Sequence, residues 1–351
     1  MKHRHLGVGL ACAAAAALLC AGGAIAQDKK VRWKMASAFP GTLDVVGETG
    51  PRFSKVIDRI SGGTLEIKFF EPGALVPALQ THDPVGTGSV DAAWTSSGYN
   101  VGKIPASPWF TTVPFGPGFS EFMAWLEYGG GSDLRDEIYA RSGLKGLHCN
   151  AIVPEASGWF RKEIKSLEDL KGLKMRFFGL GAKVMEKLGV STQLIAAGDI
   201  YPALELGTID ATEISFPSMD FKLGIHQVAK HYYFPGWHQQ ATVLEFIANA
   251  EKWKALSDQH KGIVETACGD SIRWGLVTSD ARQFKALAEI KAKGVTLHTW
   301  PKETLAAMRN AWEQVVKEES LKDNDFKRAA ESYAKFRADY AIWRELGYLK
   351  D

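Results

Sequence analysis

The chain has 351 residues, carries 42 Lys and Arg against 40 Asp and Glu, and is 46% hydrophobic. That length and apolar content suffice for two ordinary lobes, each with a sizeable core. Balanced charge with no long basic run argues against nucleic acid as a partner, and no segment is of low complexity.

At the N-terminus, Lys2 and Arg4 precede an apolar run from Leu6 through Ala17 and beyond. Ala24-Ile25-Ala26 fits the small-x-small cleavage rule, with Gln27 as the mature start. Residues 1–26 are therefore expected to be a signal peptide, and the mature protein to reside in the periplasm. A membrane anchor would need a longer uninterrupted apolar span, and a lipoprotein attached at Cys20 would need a small residue where Leu19 stands. Losing Lys2 and Arg4 from 42 leaves 40 basic against 40 acidic residues. Cys12 and Cys20 leave with the leader. An oxidising compartment permits Cys149 and Cys268 to pair, but two distant cysteines in a large domain are more often buried and unpaired. Free thiols are the expectation.

Val31 to Ser37 alternates as a first strand. Val46, Phe53, Val56, Ile57 and Ile60 fall on one stripe at helical spacing, and Ser61-Gly62-Gly63 ends that helix. Thr64 to Phe70 reads as a second strand, Ala74 to Val85 as another helical piece, and Val90 to Thr95 as a third strand. Pro105 to Gly118, rich in proline, glycine and aromatics, predicts an ordered loop. Helices around Glu121–Tyr128 and Leu134–Arg141 lead to a strand at Leu147–Ile152. A second α/β region runs from about Gly158 to His231. Beyond it, Asp258 to Lys291 is one long helical pattern without proline, and Thr304–Lys317 and Asn324–Leu346 are amphipathic, charge-rich helices. Strands alternating with helices predict mostly parallel sheets covered on both faces. Lobes joined by ordered segments can hinge but not tumble freely.

One device occurs twice. Gly88-Ser-Val-Asp-Ala-Ala-Trp94 is echoed by Gly207-Thr-Ile-Asp-Ala-Thr-Glu213. In both, a glycine closes a helix, a β-branched residue opens a strand, and an Asp-Ala pair follows. Two copies suggest two similar lobes that hold something between them. In the second, Leu173, Met175 and Phe177 share one strand face and Lys174, Arg176 and Phe178 the other, before a glycine turn (Gly179, Gly181) hands over to a short helix. An arginine at the carboxyl end of a strand, flanked by aromatics, is placed to receive an anion; a surface ion pair is the plainer alternative. Glu213 reads either as a solvated strand-end carboxylate or, opposite Trp94 in the other copy, as a cleft residue. Trp94, Tyr99, Trp159, Phe178, Phe216 and Trp237 each read singly as core, but their concentration near strand ends points to a lined pocket.

Catalytic patterns are missing: no His-Glu-x-x-His, Cys-x-x-Cys, Gly-x-Ser-x-Gly or Walker loop occurs. Val184 stands where a dinucleotide fingerprint starting at Gly179 needs glycine. His226, His231 and His238 fit no common metal spacing, which leaves them as surface or packing histidines.

The runs from Gly158 to Arg176, from Tyr201 to Glu213 and from Phe234 to Trp237 resemble the solute-binding proteins of tripartite ATP-independent periplasmic (TRAP) transporters, and the likeness covers essentially the whole mature chain. The resemblance implies a two-lobed α/β periplasmic binding protein of type II-like plan, with a long helix spanning both lobes and no enzymatic activity. Its expected partners are a small organic acid and membrane permease subunits, with the protein itself a monomer or homodimer. The expected division is lobe I at 27–151, with about 240–280 returning to it, and lobe II at 152–239, with C-terminal helices of about 281–351 packing on it.

Within that family the chain is most similar to the branch that binds 2-oxo and 2-hydroxy monocarboxylates, sometimes with a metal ion bridging ligand and protein. This implies Arg176 as a bidentate carboxylate anchor, with Glu213 and the Ile214 carbonyl as oxygen donors and Tyr99 reaching in from the first lobe. Trp94, Phe178, Phe39 and Phe216 complete the ligand-lining candidates, Phe216 compensating for an aromatic that Ile214 replaces. Glu155 stands where the branch has glutamine, and Gln239 where it has glutamate. The exchange conserves the number of carboxylates. An oxygen site for Na⁺ or Ca²⁺ made by Glu155, Glu213, Ile214 and Gln239 either survives with its charge relocated or is lost, leaving Glu155 to recognise a ligand hydroxyl or amine. No cofactor is required. Two alternatives stand beside this reading: a binding protein of another uptake system, and a secreted hydrolase using Glu155 and Glu213 as an acid–base pair. The hydrolase lacks any residue specified as a nucleophile or tuned acid.

Overall fold

The computed structural model describes residues 30–349. The leader expected at 1–26, with Cys12 and Cys20, lies outside the described residues. The first sheet has the order β2 (Leu65–Phe70), β1 (Val31–Ser37), β3 (Ala92–Thr95), β10 (Thr242–Asn249), β4 (Leu144–Ile152). The second has the order β11 (Thr296–Thr299), β9 (His231–Phe234), β5 (Gly158–Phe160), β8 (Ala211–Thr212), β6 (Lys174–Arg176), β7 (Ser191–Gln193).

The expectation of mostly parallel sheets needs one correction in each. β10 runs antiparallel to both β3 and β4, and β5 antiparallel to both β8 and β9, while the other pairings are parallel. These two strands are the ones by which the chain changes sheet: β4 leads into β5, and β9 into β10. A lobe's own strands point their carboxyl ends at the cleft, so a strand entering from the cleft must run the other way.

The third crossing is the helix Asp258–Ala292, which packs on β4, on the helix Thr49–Ile60 and on the helix Pro217–Lys222. Its buried face includes Ala267, Ser271, Gly275 and Ser279, small residues that let it approach closely. A Cβ on Gly275 would lie 1.8 Å from Asn150 Oδ1. The same approach joins Cys149 of β4 to Cys268 of the helix in a disulfide, with Cα atoms 4.0 Å apart. The free-thiol expectation is thus overturned. Sequence distance between cysteines carries no information once a helix is drawn onto a strand by small residues.

Two further expectations change. Of the helical piece at Ala74 to Val85, only His82–Gly86 is helical; hydrogen-bonded turns such as Gln80 N–H to Pro77 carbonyl occupy the rest, because Pro77 interrupts any helix there. At the C-terminus, the helix Lys302–Lys322 packs on Gly179–Lys187 of the second lobe, but Asn324–Asp339 packs on Phe119–Tyr128 and Gly131–Ala140 of the first. The C-terminal helices therefore touch both lobes rather than the second alone. No helix among the described residues is long and apolar enough to cross a membrane.

The repeated device is the same backbone structure in both sheets. Gly88 and Gly207 adopt left-handed φ values of 79° and 71°, which glycine accepts without cost to a Cβ. Asp91 Oδ2 accepts the Lys34 N–H of β1 at 2.6 Å, and Asp210 Oδ2 accepts the Lys174 N–H of β6 at 3.0 Å. Met35 pairs with Ala92 as Met175 pairs with Ala211. This register sets Arg176 in the place that Ala36 holds in the first sheet, and Glu213 in the place of Trp94.

Candidate ligand site between the lobes

The cavity lies where β4 passes into β5 and β9 into β10. Phe39, Leu43, Val46, Ser96 and Tyr99 line it from the first lobe; Arg176, Phe178, Ala197, Ile214, Ser215 and Met219 line it from the second; Glu155 and Gln239 come from the crossing segments. A water-sized sphere can occupy about 50 Å³ of it, room for a ligand of only a few heavy atoms.

Arg176 ends β6 and is buried. Its Nη1 donates to the Glu213 carbonyl at 2.5 Å and to Glu213 Oε2 at 2.8 Å, and its Nε donates to the Ile195 carbonyl at 3.3 Å. With both Nη1 hydrogens committed to Glu213, the group left for a ligand is Nη2. A two-bond clasp on a carboxylate would require one Nη1 contact, or the long Nε contact, to be shared. Glu213 Oε2 also accepts the Phe178 N–H at 3.0 Å, so one carboxylate fixes both the guanidinium and the backbone that carries the aromatic ring beside it.

Behind the arginine, Glu155, Glu213 and His238 converge, each offering an atom within 4.8 Å of the others. His238 Nε2 stands 3.5 Å from Glu213 Oε1 and 3.7 Å from Glu155 Oε2. Glu155 Oε1 accepts from Ser215 Oγ at 3.1 Å, and Gln239 Nε2 donates to Thr242 Oγ1 at 2.9 Å. Glu155 Oε2 and Glu213 Oε1 make no hydrogen bond within the usual distance and face His238 Nε2, itself without one, while Gln239 Oε1 is buried with no partner. Buried acceptors are rarely left so unless a ligand, water or ion meets them. Buried carboxylate and amide oxygens of this kind suit a hard cation of the Na⁺ or Ca²⁺ type, although the cluster that converges also brings the His238 imidazole.

The electrostatics are strongly coupled. Burial alone would lower His238, but Glu155 and Glu213 outweigh it and raise its pKa to about 9. Burial acts to raise Glu213, yet Arg176, His238 and the Phe178 N–H hold it below the ordinary value. Burial pushes Glu155 up to about 8 against the pull of His238. Farther back, burial raises Asp220 to about 7, although Trp159 Nε1 and Tyr232 Oη donate to its Oδ2 at 2.8 and 2.7 Å.

The structure brings Arg176, Glu155, Tyr99, Gln239, Phe178, Phe39 and Ile214 to the cavity wall. Glu213 is fully buried one step behind it, against Arg176. Trp94 and Phe216 do not line the cavity; both are fully buried core residues, and Trp94 packs on Phe53 at 5.5 Å. The surface-or-packing reading of His238 is corrected: it sits at the centre of the charged cluster. Its spacing to other histidines was the wrong test, since its partners are carboxylates brought in from other strands. Its sequence position, between Trp237 of the Phe-Pro-Gly-Trp motif and the candidate Gln239, was the available signal. Leu43, Val46, Ser215 and Met219 gave none.

A cavity closed by both lobes, with polar atoms unpartnered inside the protein, is built to enclose a solute, and that is the class of the molecule: a two-lobed solute-binding protein. The chain belongs to family 7 of the bacterial extracellular solute-binding proteins, whose sequence model matches residues 37–323. A monocarboxylate 2-oxoacid-binding periplasmic protein of Nostoc sp. is 36% identical over 321 residues, covering 91% of this chain and 87% of its own. A TRAP transporter solute-binding protein of Bordetella bronchiseptica RB50 superimposes with a TM-score of 0.88 at 37% identity, covering 91% of this chain and 95% of its own. It is a mixed-occupancy dimer with co-purified calcium and picolinate in one site and the other apo. A TRAP periplasmic solute-binding protein of Pseudoalteromonas atlantica, with bound sodium and pyruvate, gives 0.86 at 32% identity, covering 90% and 96%.

Proposed function

We propose that the protein is a periplasmic receptor that captures a small 2-oxo or 2-hydroxy monocarboxylate between its lobes, does no chemistry on it, and delivers it to the permease subunits of a TRAP transporter. The observation that carries this reading is one small cavity lined by Arg176, whose Nη2 is left uncommitted, and by Glu155 and Gln239, each with a buried oxygen that lacks a hydrogen bond. Arg176 is assigned the ligand carboxylate. Glu155, Glu213 and Gln239, with the Ile214 carbonyl, are assigned a Na⁺ or Ca²⁺ ion that would offer positive charge to the ligand's oxo or hydroxy oxygen. Tyr99, Phe39 and Phe178 are assigned the apolar walls. The lobe division expected from sequence is retained, except that Asn324–Asp339 is assigned to the first lobe's surface.

Charge supports a monoanion. Arg176 and His238, whose pKa its carboxylate neighbours raise, stand against Glu213, which is held below its ordinary value. The relatives named above are binding proteins, which favours the receptor over the hydrolase reading.

The test is calorimetry with pyruvate in ion-depleted buffer, followed by additions of Na⁺ and Ca²⁺. Binding that strengthens with a cation supports the bridged site. Binding indifferent to both ions removes the bridge and leaves a metal-free arginine anchor. No binding of pyruvate, picolinate or other small acids in either condition rejects the carboxylate assignment.

A further inference from the structure

A second set of charges joins the lobes outside the cavity. Asp44, on the loop after β1, is fully buried. Its Oδ2 accepts Ser218 Oγ at 2.6 Å, and its Oδ1 accepts Lys222 Nζ and, at 2.5 Å, Arg282 Nη1. Arg282 Nη1 also reaches Glu48 Oε2 at 2.9 Å. Gln283 Oε1 accepts the Ser218 N–H at 2.9 Å, and Gln283 Nε2 donates to Ser218 Oγ at 3.1 Å. Ser218 and Lys222 lie on the second-lobe helix Pro217–Lys222, Arg282 and Gln283 on the helix that spans the lobes. Asp44 is therefore where three bodies meet.

The backbone beside it is strained. Val45 has φ 55°, a left-handed conformation that a β-branched residue adopts only when its surroundings over-determine it. Leu43 and Val46, on either side of Asp44 and Val45, line the ligand cavity, as does Met219 next to Ser218.

We propose that Asp44 is a positioning residue for capture: with Ser218, Lys222 and Arg282 it forms a lock that holds the lobes shut and sets the apolar wall of the cavity. The lock rests on the receptor reading above. Opening the lobes strips Ser218 and Lys222 from a buried carboxylate, so the lock favours the closed form without touching the ligand. The apparent affinity for any ligand then scales with the closed fraction. Lys222 is half-exposed, with 52% of its side chain open to solvent while Asp44 is fully buried, so salt weakens only the Lys222 part of the lock, and modestly.

The experiment measures distances between spin labels on exposed residues of the two lobes, at low and high ionic strength, with and without pyruvate. It is paired with dissociation constants and release rates for pyruvate and picolinate. Asp44→Asn is expected to shift the ligand-free distances toward the open form and to weaken both probes by the same factor, about tenfold, mainly through faster release. Lys222→Gln, which leaves the buried carboxylate with Arg282, gives a smaller change of the same kind should Asp44→Asn fold poorly. High salt shifts the wild-type distances part of the way toward the open form and shifts those of Lys222→Gln less. Unchanged distances and affinities in both variants, or a loss confined to one probe, overturn the lock. If wild-type protein binds neither probe the receptor reading fails, while the ligand-free distances at the two salt levels still decide the lock.

Discussion

The two copies of the helix-to-strand device share a backbone and differ in what they hold. In the second sheet, Glu213 holds Arg176 through its carboxylate and its carbonyl. In the first, Trp94 occupies the same place and donates its indole N–H to the Val46 carbonyl at 3.0 Å, and Ala36 stands where Arg176 would be. Each copy therefore fixes the part of its own lobe that meets the cavity: the charged anchor on one side, the apolar loop of Leu43 and Val46 on the other. A duplicated scaffold thus holds a charged pair in its second-lobe copy and an apolar loop in its first-lobe copy.

The sharpest way to break this comparison is Arg176→Lys. An ammonium cannot bind the Glu213 carbonyl, the Glu213 carboxylate and the Ile195 carbonyl while leaving a planar N–H₂ for the ligand. Losing a desolvated charge pair costs about 2–5 kcal/mol, so pyruvate affinity should fall well over tenfold by calorimetry while the fold survives by circular dichroism. Equal affinity in the lysine variant would show that the charge anchor lies elsewhere. Glu213→Gln comes next. It leaves Arg176 buried without its counter-charge, which should lower stability by about 3 kcal/mol in chemical denaturation, and any cation dependence of binding should disappear with the carboxylate.

A smaller effect is expected where the two halves touch. A Cβ on Gly98 of the first lobe would lie 2.3 Å from Phe178 Cζ of the second, and Phe178 packs edge-on to Tyr99 at 5.3 Å. Gly98→Ala should therefore obstruct closure, at an overpacking cost of about 1–3 kcal/mol. The ligand-free melting temperature should hold while the shift produced by pyruvate shrinks. A full shift would mean that Phe178 has room to retreat and does not seal the cavity.

The position of Arg176 at a strand end beside the cavity was legible because strand alternation assigns faces, and the repeat aligns Glu213 with Trp94, although Glu213 lies behind the cavity wall rather than in the cleft. Strand direction was not legible, since period-two alternation is identical for a parallel and an antiparallel strand; β5 and β10 reverse because of where the chain crosses. The Cys149–Cys268 disulfide and the Asp44–Ser218 contact join residues 119 and 174 positions apart through the packing of one helix, which no local pattern encodes. Leu43 and Met219 look like core residues because apolar walls and apolar cores use the same side chains. His238 was overlooked for a different reason: a histidine among carboxylates is defined by neighbours that arrive from other strands.

The least disruptive test asks whether Trp94 is truly the counterpart of Glu213. Trp94→Phe keeps an aromatic ring against Phe53 but removes the indole N–H that holds the Val46 carbonyl. It loses one buried hydrogen bond, a net of about 0.5–1.5 kcal/mol, plus the volume of the second ring, so global stability should drop by about 1–3 kcal/mol. No charge that meets the ligand changes, so pyruvate affinity should fall less than about threefold, roughly 0.6 kcal/mol, through slight loosening of the Val46 loop. Denaturant unfolding and calorimetry on one preparation separate the two quantities. If Trp94→Phe lost as much affinity as Glu213→Gln, the first-lobe copy would be part of the recognition of charge, and the division between a copy that holds charge and a copy that holds an apolar loop would have to be given up.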